Sequence, residues 1–171
     1  MPLHWLAWQE VSRRHGLQFP EDRFYALGGV PSRDILKLLS AEQNRPVDAL
    51  AAAKEKEELY LRMLPQVNPI EQVVRIAHDN HGKLPMAVAS GGNKAVITEV
   101  LEHLEIIHLF QAVVTSEDVQ RQKPAPDIFL EAARRLGVDP RCCRAYEDTD
   151  IGLQAIRSAG MEAVDVREMR K

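Results

Sequence analysis

Only two cysteines occur in the 171 residues, and they are neighbours, Cys142 and Cys143. Adjacent cysteines cannot close a normal long-loop disulfide, so a disulfide-framed secreted domain is excluded; the pair is expected to be reduced and packed at the start of a buried strand. No apolar run approaches the roughly 18 residues of a membrane span. The N-terminus carries Trp5, Trp8 and Glu10 where a signal peptide would have a basic start and an unbroken apolar stretch. A cytoplasmic setting is expected. Charge of one sign is lacking too: 22 basic residues against 25 acidic ones give a formal charge of -3. No basic stripe marks a nucleic-acid partner and no polybasic segment a membrane surface, which leaves small soluble molecules. What the chain does have is 45% hydrophobic residues, enough for one sizeable core.

The pattern changes character near residue 69. Residues 1–68 read as helices only: Leu3, Leu6, Ala7 and Val11 share one face with Gly16 as a stop, a second helix follows Pro31-Ser32, and a third runs from about Val47 to Leu64. The run Lys54-Glu55-Lys56-Glu57-Glu58 is predicted to be a solvated face of that third helix. From residue 69 to residue 171, helices alternate with short apolar runs at the spacing of parallel β-α-β units. Strands are predicted at Met86 to Ala89, Ala112 to Thr115, Cys143 to Tyr146 and Ala163 to Val166. In such open sheets ligands bind beyond the carboxyl ends of the strands.

Three segments carrying polar chemistry fall at or between those ends. Ser90-Gly91-Gly92 closes a strand and opens a helix at Asn93 and Lys94, where a hydroxyl and helix N-terminal amides favour an anion; the same residues also suit a plain tight turn. Lys123 lies in Lys-Pro-Ala-Pro-Asp, whose prolines stiffen the backbone that holds the ammonium, although an ordinary exposed lysine fits there as well. Glu147-Asp148-Thr149-Asp150 supplies helix caps, yet three acids in four residues exceed what a cap requires and suit Mg²⁺, a cation of hard oxygen ligands. Together, and in this order, they describe most of a phosphoryl-transfer site.

Those segments resemble motifs two, three and four of the haloacid dehalogenase superfamily: Ala-Ser-Gly-Gly-Asn-Lys at 89–94, Lys-Pro-Ala-Pro-Asp-Ile-Phe at 123–129, and Tyr-Glu-Asp-Thr-Asp-Ile-Gly at 146–152 with Ala159-Gly160-Met161. The helical half resembles the small cap of its β-phosphoglucomutase-like members. Leu-Gly-Gly-Val-Pro-Ser-Arg-Asp at 27–34 and Ala-Val-Asp-Val-Arg at 163–167 are similar to bacterial fructose-1-phosphate or 6-phosphogluconate phosphatases. The resemblance implies an α/β fold, a Rossmannoid parallel sheet core (69–171) under a helical cap (1–68), and a Mg²⁺-dependent phosphatase acting on a small phosphorylated sugar. It implies Ser90 and Lys123 as catalytic groups and Asp148 with Glu147 as metal ligands. Gly91, Gly92 and Asn93 would line the phosphate, with His4 and Arg33, beside Gly29 and Ser32, reaching over the leaving group.

One family motif is not found. The resemblance implies an aspartate nucleophile in Asp-x-Asp-x-Thr on a first strand at the centre of the sheet, just before the segment matching Met1-Pro2-Leu3-His4, and no such motif occurs in the sequence. The expectation is a native product starting about twenty residues upstream, enough for one strand and its motif, and a chain that is inactive as given. A phosphomutase of the same family and a noncatalytic phosphate- or metal-binding protein remain open as alternatives. A receiver-type signalling domain has its acids early and its lysine late, the reverse of the order here.

Overall fold

The computed structural model describes residues 1–170, leaving aside the side chain of Arg170. Four helices come first: α1 (Pro2–His15), α2 (Glu21–Ala26), α3 (Ser32–Glu42) and α4 (Ala49–Arg62). The scarce aromatics explain how they pack. Trp5, Trp8, Phe19 and Phe24 meet one another at ring-centroid distances of 5.1 to 6.4 Å, mostly edge to face, the geometry favoured by ring quadrupoles. Val11, Ile35, Leu36, Leu39, Ala52 and Ala53 complete that core. Gly16 ends α1 in the left-handed conformation, as the sequence predicts, while Asp48 caps α4 through the amides of Leu50 and Ala51. The six-residue α2 is not anticipated from periodicity, because so short a segment shows less than two full turns.

The remainder alternates as predicted: α5 (Glu71–Asn80), β1 (Ala87–Ala89), α6 (Lys94–His103), β2 (Ala112–Val114), α7 (Asp127–Leu136), β3 (Arg144–Glu147), α8 (Asp150–Ser158) and β4 (Glu162–Asp165). Period two is visible across β1. Ala87 and Ala89 pack on the core under α7 and α8, whereas Met86 and Val88 pack on the opposite cluster with Ala77 and Leu101 of α5 and α6. This is a three-layer α/β arrangement.

The sheet is divided at its centre. β1 pairs in parallel with β2, Val88 opposite Val113, and β3 pairs in parallel with β4, Tyr146 opposite Val164. The two pairs form separate sheets, and among the described residues no strand joins β1 to β3. They are nevertheless one body, because Ile128, Phe129, Ala155 and Ile156 of α7 and α8 form a single core beneath both. β3 also starts and ends one residue later than predicted, so Glu147 is the last residue of the strand and not the first beyond it. Among the described residues, no helix is long and apolar enough to cross a membrane.

Candidate active site

Lys123 is where the two half-sheets meet. Its ammonium donates to Glu147 Oε2 at 2.6 Å and to the Ala89 carbonyl, the end of β1, at 3.5 Å, and lies 4.9 Å from the Phe129 ring centroid. The side chains of Lys123 and Glu147 are 6% and 10% exposed, so this is a buried pair and not the surface lysine that the sequence alone also allowed. Glu147 is saturated with donors: its Oε1 accepts from the amides of Asp148 and Thr149 and from the Thr149 hydroxyl, at 3.0 to 3.1 Å. Burial pushes the Glu147 carboxyl up, and the Lys123 ammonium together with those hydrogen bonds more than reverses it, leaving the group below its ordinary value. Gly152 makes the approach possible, since a Cβ there would stand 2.2 Å from the Glu147 carboxyl carbon.

The Ser90 loop faces this pair. Ser90 Oγ accepts from the Gly92 amide at 3.2 Å, and the Gly92 carbonyl is held by the amide and hydroxyl of Ser116. Part of the helix N-terminus is already occupied: Asn93 Oδ1 caps the Val96 amide, and Glu117 Oε1 accepts from the Lys94 amide at 2.9 Å. The Val96 and Lys94 amides of this N-terminus are thus taken by side chains of the protein itself. Over the turn lies the loop between α2 and α3: a Cβ on Gly91 would stand 2.1 Å from the Gly29 carbonyl oxygen, and Gly29 also borders Lys123, Thr149 and Ile151. The helical half thus rests directly on the Ser90-Gly91-Gly92 turn.

Arg33 and His4 are placed elsewhere. Arg33 is exposed and paired with Asp34 at 3.5 Å, with no bond to Ser90, Lys123 or Glu147 among the described residues. His4 stacks on Tyr60 at 3.8 Å, and its Nδ1 accepts from the Lys56 ammonium at 3.0 Å. Here the expectation of a solvated charge run fails, because Lys56 is 5% exposed. The helical period carried the signal: Ala52, Ala53, Lys56 and Tyr60 lie on one buried face of α4. Its neighbour Glu57 is half-buried and accepts from Asn93 Nδ2.

Burial, then Lys56, lowers the His4 pKa to about 2, and burial lowers that of Lys56 to about 8. Both groups are harder to protonate in the folded chain than in the unfolded one, whose ordinary values are 6.5 and 10.5. Stability therefore falls as pH drops below 6.5, where the unfolded chain takes up a proton on His4. It rises as pH climbs from about 8 to 10.5, where the folded chain has already lost the Lys56 proton. The upper window is expected to be worth on the order of 3 kcal/mol and to vanish in Lys56→Met; urea midpoints at pH 7 and pH 10 would reveal an unchanged rise if Lys56 were not its source.

Known proteins show the same organisation. The family model for haloacid dehalogenase-like hydrolases matches residues 2–160. Fructose-1-phosphate phosphatase YqaB of Escherichia coli (strain K12) is 42% identical over 97% of this chain and 88% of its own length. Beta-phosphoglucomutase of Bacillus subtilis (strain 168) is 30% identical over 95% and 75% respectively. Among solved structures, beta-phosphoglucomutase from Clostridium difficile superposes with a TM-score of 0.82 at 24% identity, covering 99% of this chain and 80% of that one.

Proposed function

This chain belongs to the haloacid dehalogenase-like hydrolase family, and from that membership we propose that its crevice serves phosphoryl transfer from a small sugar phosphate, as a phosphatase under the helical cap of residues 1–68. The observation that carries the reading is the buried Lys123 ammonium between the ends of β1 and β3, bonded to Glu147 and to the carbonyl of Ala89, the residue before Ser90. Phosphoryl transfer asks a protein mainly for positioning and charge stabilisation. The Ser90 hydroxyl and the Gly91 and Gly92 amides would hold phosphoryl oxygens, and Lys123 would offset the charge that develops on them. A cytoplasmic setting suits the reading, with both cysteines free.

The donor set fits Mg²⁺. Two adjacent hard carboxylates at a strand end match an ion that takes one or two protein carboxylates together with substrate phosphate and water. Asp148 would hold it, and Glu147, whose two oxygens accept from Lys123, the Asp148 and Thr149 amides and the Thr149 hydroxyl, would join only by giving up one of those bonds. Bound there, the ion would neutralise charge on the phosphate.

The covalent step needs a carboxylate oxygen that bonds to phosphorus as the bond to the sugar oxygen breaks; water then cleaves the acyl phosphate. We place that carboxylate on a strand filling the open edges of β1 and β3, beside the Lys123 ammonium that bonds to the end of each. The test is phosphate release from a sugar-phosphate panel with Mg²⁺, by the 171-residue chain and by the same chain preceded by a strand ending in Asp-x-Asp-x-Thr. Release is expected only from the second. Turnover by the first would overturn the need for the added aspartate, and turnover by neither would overturn the phosphatase reading. The kinship with Bacillus subtilis beta-phosphoglucomutase supports one second reading, a phosphomutase, which would yield an isomeric sugar phosphate in place of free phosphate.

A further inference from the structure

Asn93 uses both ends of its side chain. Its Oδ1 closes the first turn of α6 by accepting from the Val96 amide at 2.9 Å, and its Nδ2 donates to Glu57 on α4 of the helical half. Glu57 is half-buried, and burial raises its carboxyl, with the nearby Glu117 carboxylate acting in the same direction and Lys56 and Asn93 in the opposite one. A carboxylate so placed depends on its donor, because a buried charge without a hydrogen bond is costly. One turn along α6, Val96 joins Ala7 and Tyr60 of the helical half in an apolar cluster. Apolar contact is non-directional and tolerates sliding. The bond between Asn93 and Glu57 does not, and it lies beside the turn where the Gly29 carbonyl rests on Gly91.

We propose that Glu57 and Asn93 form a latch that holds the helical half shut over the Ser90 crevice, with Asn93 tying the latch to the helix that seats the anion. Only its kinetic consequence, control of substrate entry and product release, rests on the phosphatase reading. The latch itself is measurable without substrate, so its failure and the failure of that reading are separate results.

The experiment is hydrogen exchange by mass spectrometry on the full 171-residue chain, following peptides that cover 27–31, 90–97 and, as a reference, 127–136. Glu57→Ala removes the acceptor. Asn93→Asp keeps the helix cap but turns the donor into a second carboxylate facing Glu57. Each is expected to speed exchange at 27–31 and 90–97 by about tenfold, the scale of a hydrogen bond to a charged group, with 127–136 unchanged. The double variant Glu57→Gln/Asn93→Asp reverses donor and acceptor, since the new amide can donate to the new carboxylate, and is expected to return exchange to near the starting rate. Three outcomes would overturn the latch: unchanged exchange at 27–31 in either single variant, a double variant as fast as the singles, or equal acceleration at 127–136, which would mark general loosening of the fold.

Discussion

Replacing Lys123 with methionine is expected to lower the unfolding free energy by about 3 to 5 kcal/mol, the cost of removing one partner from a buried ion pair. The physical reason is the fate of Glu147. Its carboxylate is 10% exposed, and without the ammonium it keeps the amides of Asp148 and Thr149 and the Thr149 hydroxyl but loses its counter-charge. The Ala89 carbonyl at the open edge of β1 loses a donor in the same substitution. For a domain with about 5 to 15 kcal/mol of stability in all, this is enough to bring the fold near its limit. Urea unfolding would report it as a lower midpoint at unchanged slope. Replacing both residues, Lys123→Met with Glu147→Leu, removes the orphaned charge and should recover most of the loss. A single-variant loss under about 1 kcal/mol, the range of a surface pair, would show that the ammonium does not hold the two half-sheets together.

Gly91→Ala is the second large effect, and it acts on the closure of the helical half. The added Cβ meets the Gly29 carbonyl oxygen at 2.1 Å, backbone against backbone, so no side-chain rotation relieves it and the loop must retreat by more than 1 Å. Overpacking of this kind costs about 1 to 3 kcal/mol. A displacement of about 1 Å at a site of positioned groups costs roughly a hundredfold in rate. Turnover by the aspartate-extended chain is therefore expected to fall about a hundredfold in Gly91→Ala. Gly137→Ala is the control: Gly137 ends α7 at φ 68 with nothing within 4 Å of the added carbon, so only local strain of about 1 to 2 kcal/mol follows and turnover should hold. Equal loss of turnover in the two variants would mean that general destabilisation, not closure, is responsible.

Much of this candidate site is legible in the sequence. Ser90, Lys123 and Glu147-Asp148 stand at predicted strand ends or between them, and the structure links the three segments through Lys123, which bonds to the Ala89 carbonyl and to Glu147, since parallel strands aim their carboxyl ends in one direction. The gap at the centre of the sheet was anticipated as well, from the resemblance of the flanking motifs, and β1 and β3 do lie in separate sheets. His4 and Arg33 were less legible. A histidine on a helix does not reveal which neighbour will bury it, and here Tyr60 and Lys56 do so from a helix more than fifty residues away. In the run Lys54-Glu55-Lys56-Glu57-Glu58 the density of charge masks the helical period, yet the spacing of Ala53, Lys56 and Tyr60 places the lysine on the inner face.

The order of elements, the helical character of the first half, the turn at Ser90-Gly91-Gly92 and the set of charged groups near the strand ends follow from the sequence by itself. They rest on local preferences: periodicity, caps, and the backbone freedom of glycine. Only the tertiary structure decided which partner each of these carboxylates meets. Glu147 is spent on Lys123, Glu117 on the Lys94 amide and Glu57 on Asn93, pairings across 24, 23 and 36 positions of chain. Charged groups pair by distance and burial once the core has closed, and neither quantity is carried by the spacing of residues along the chain.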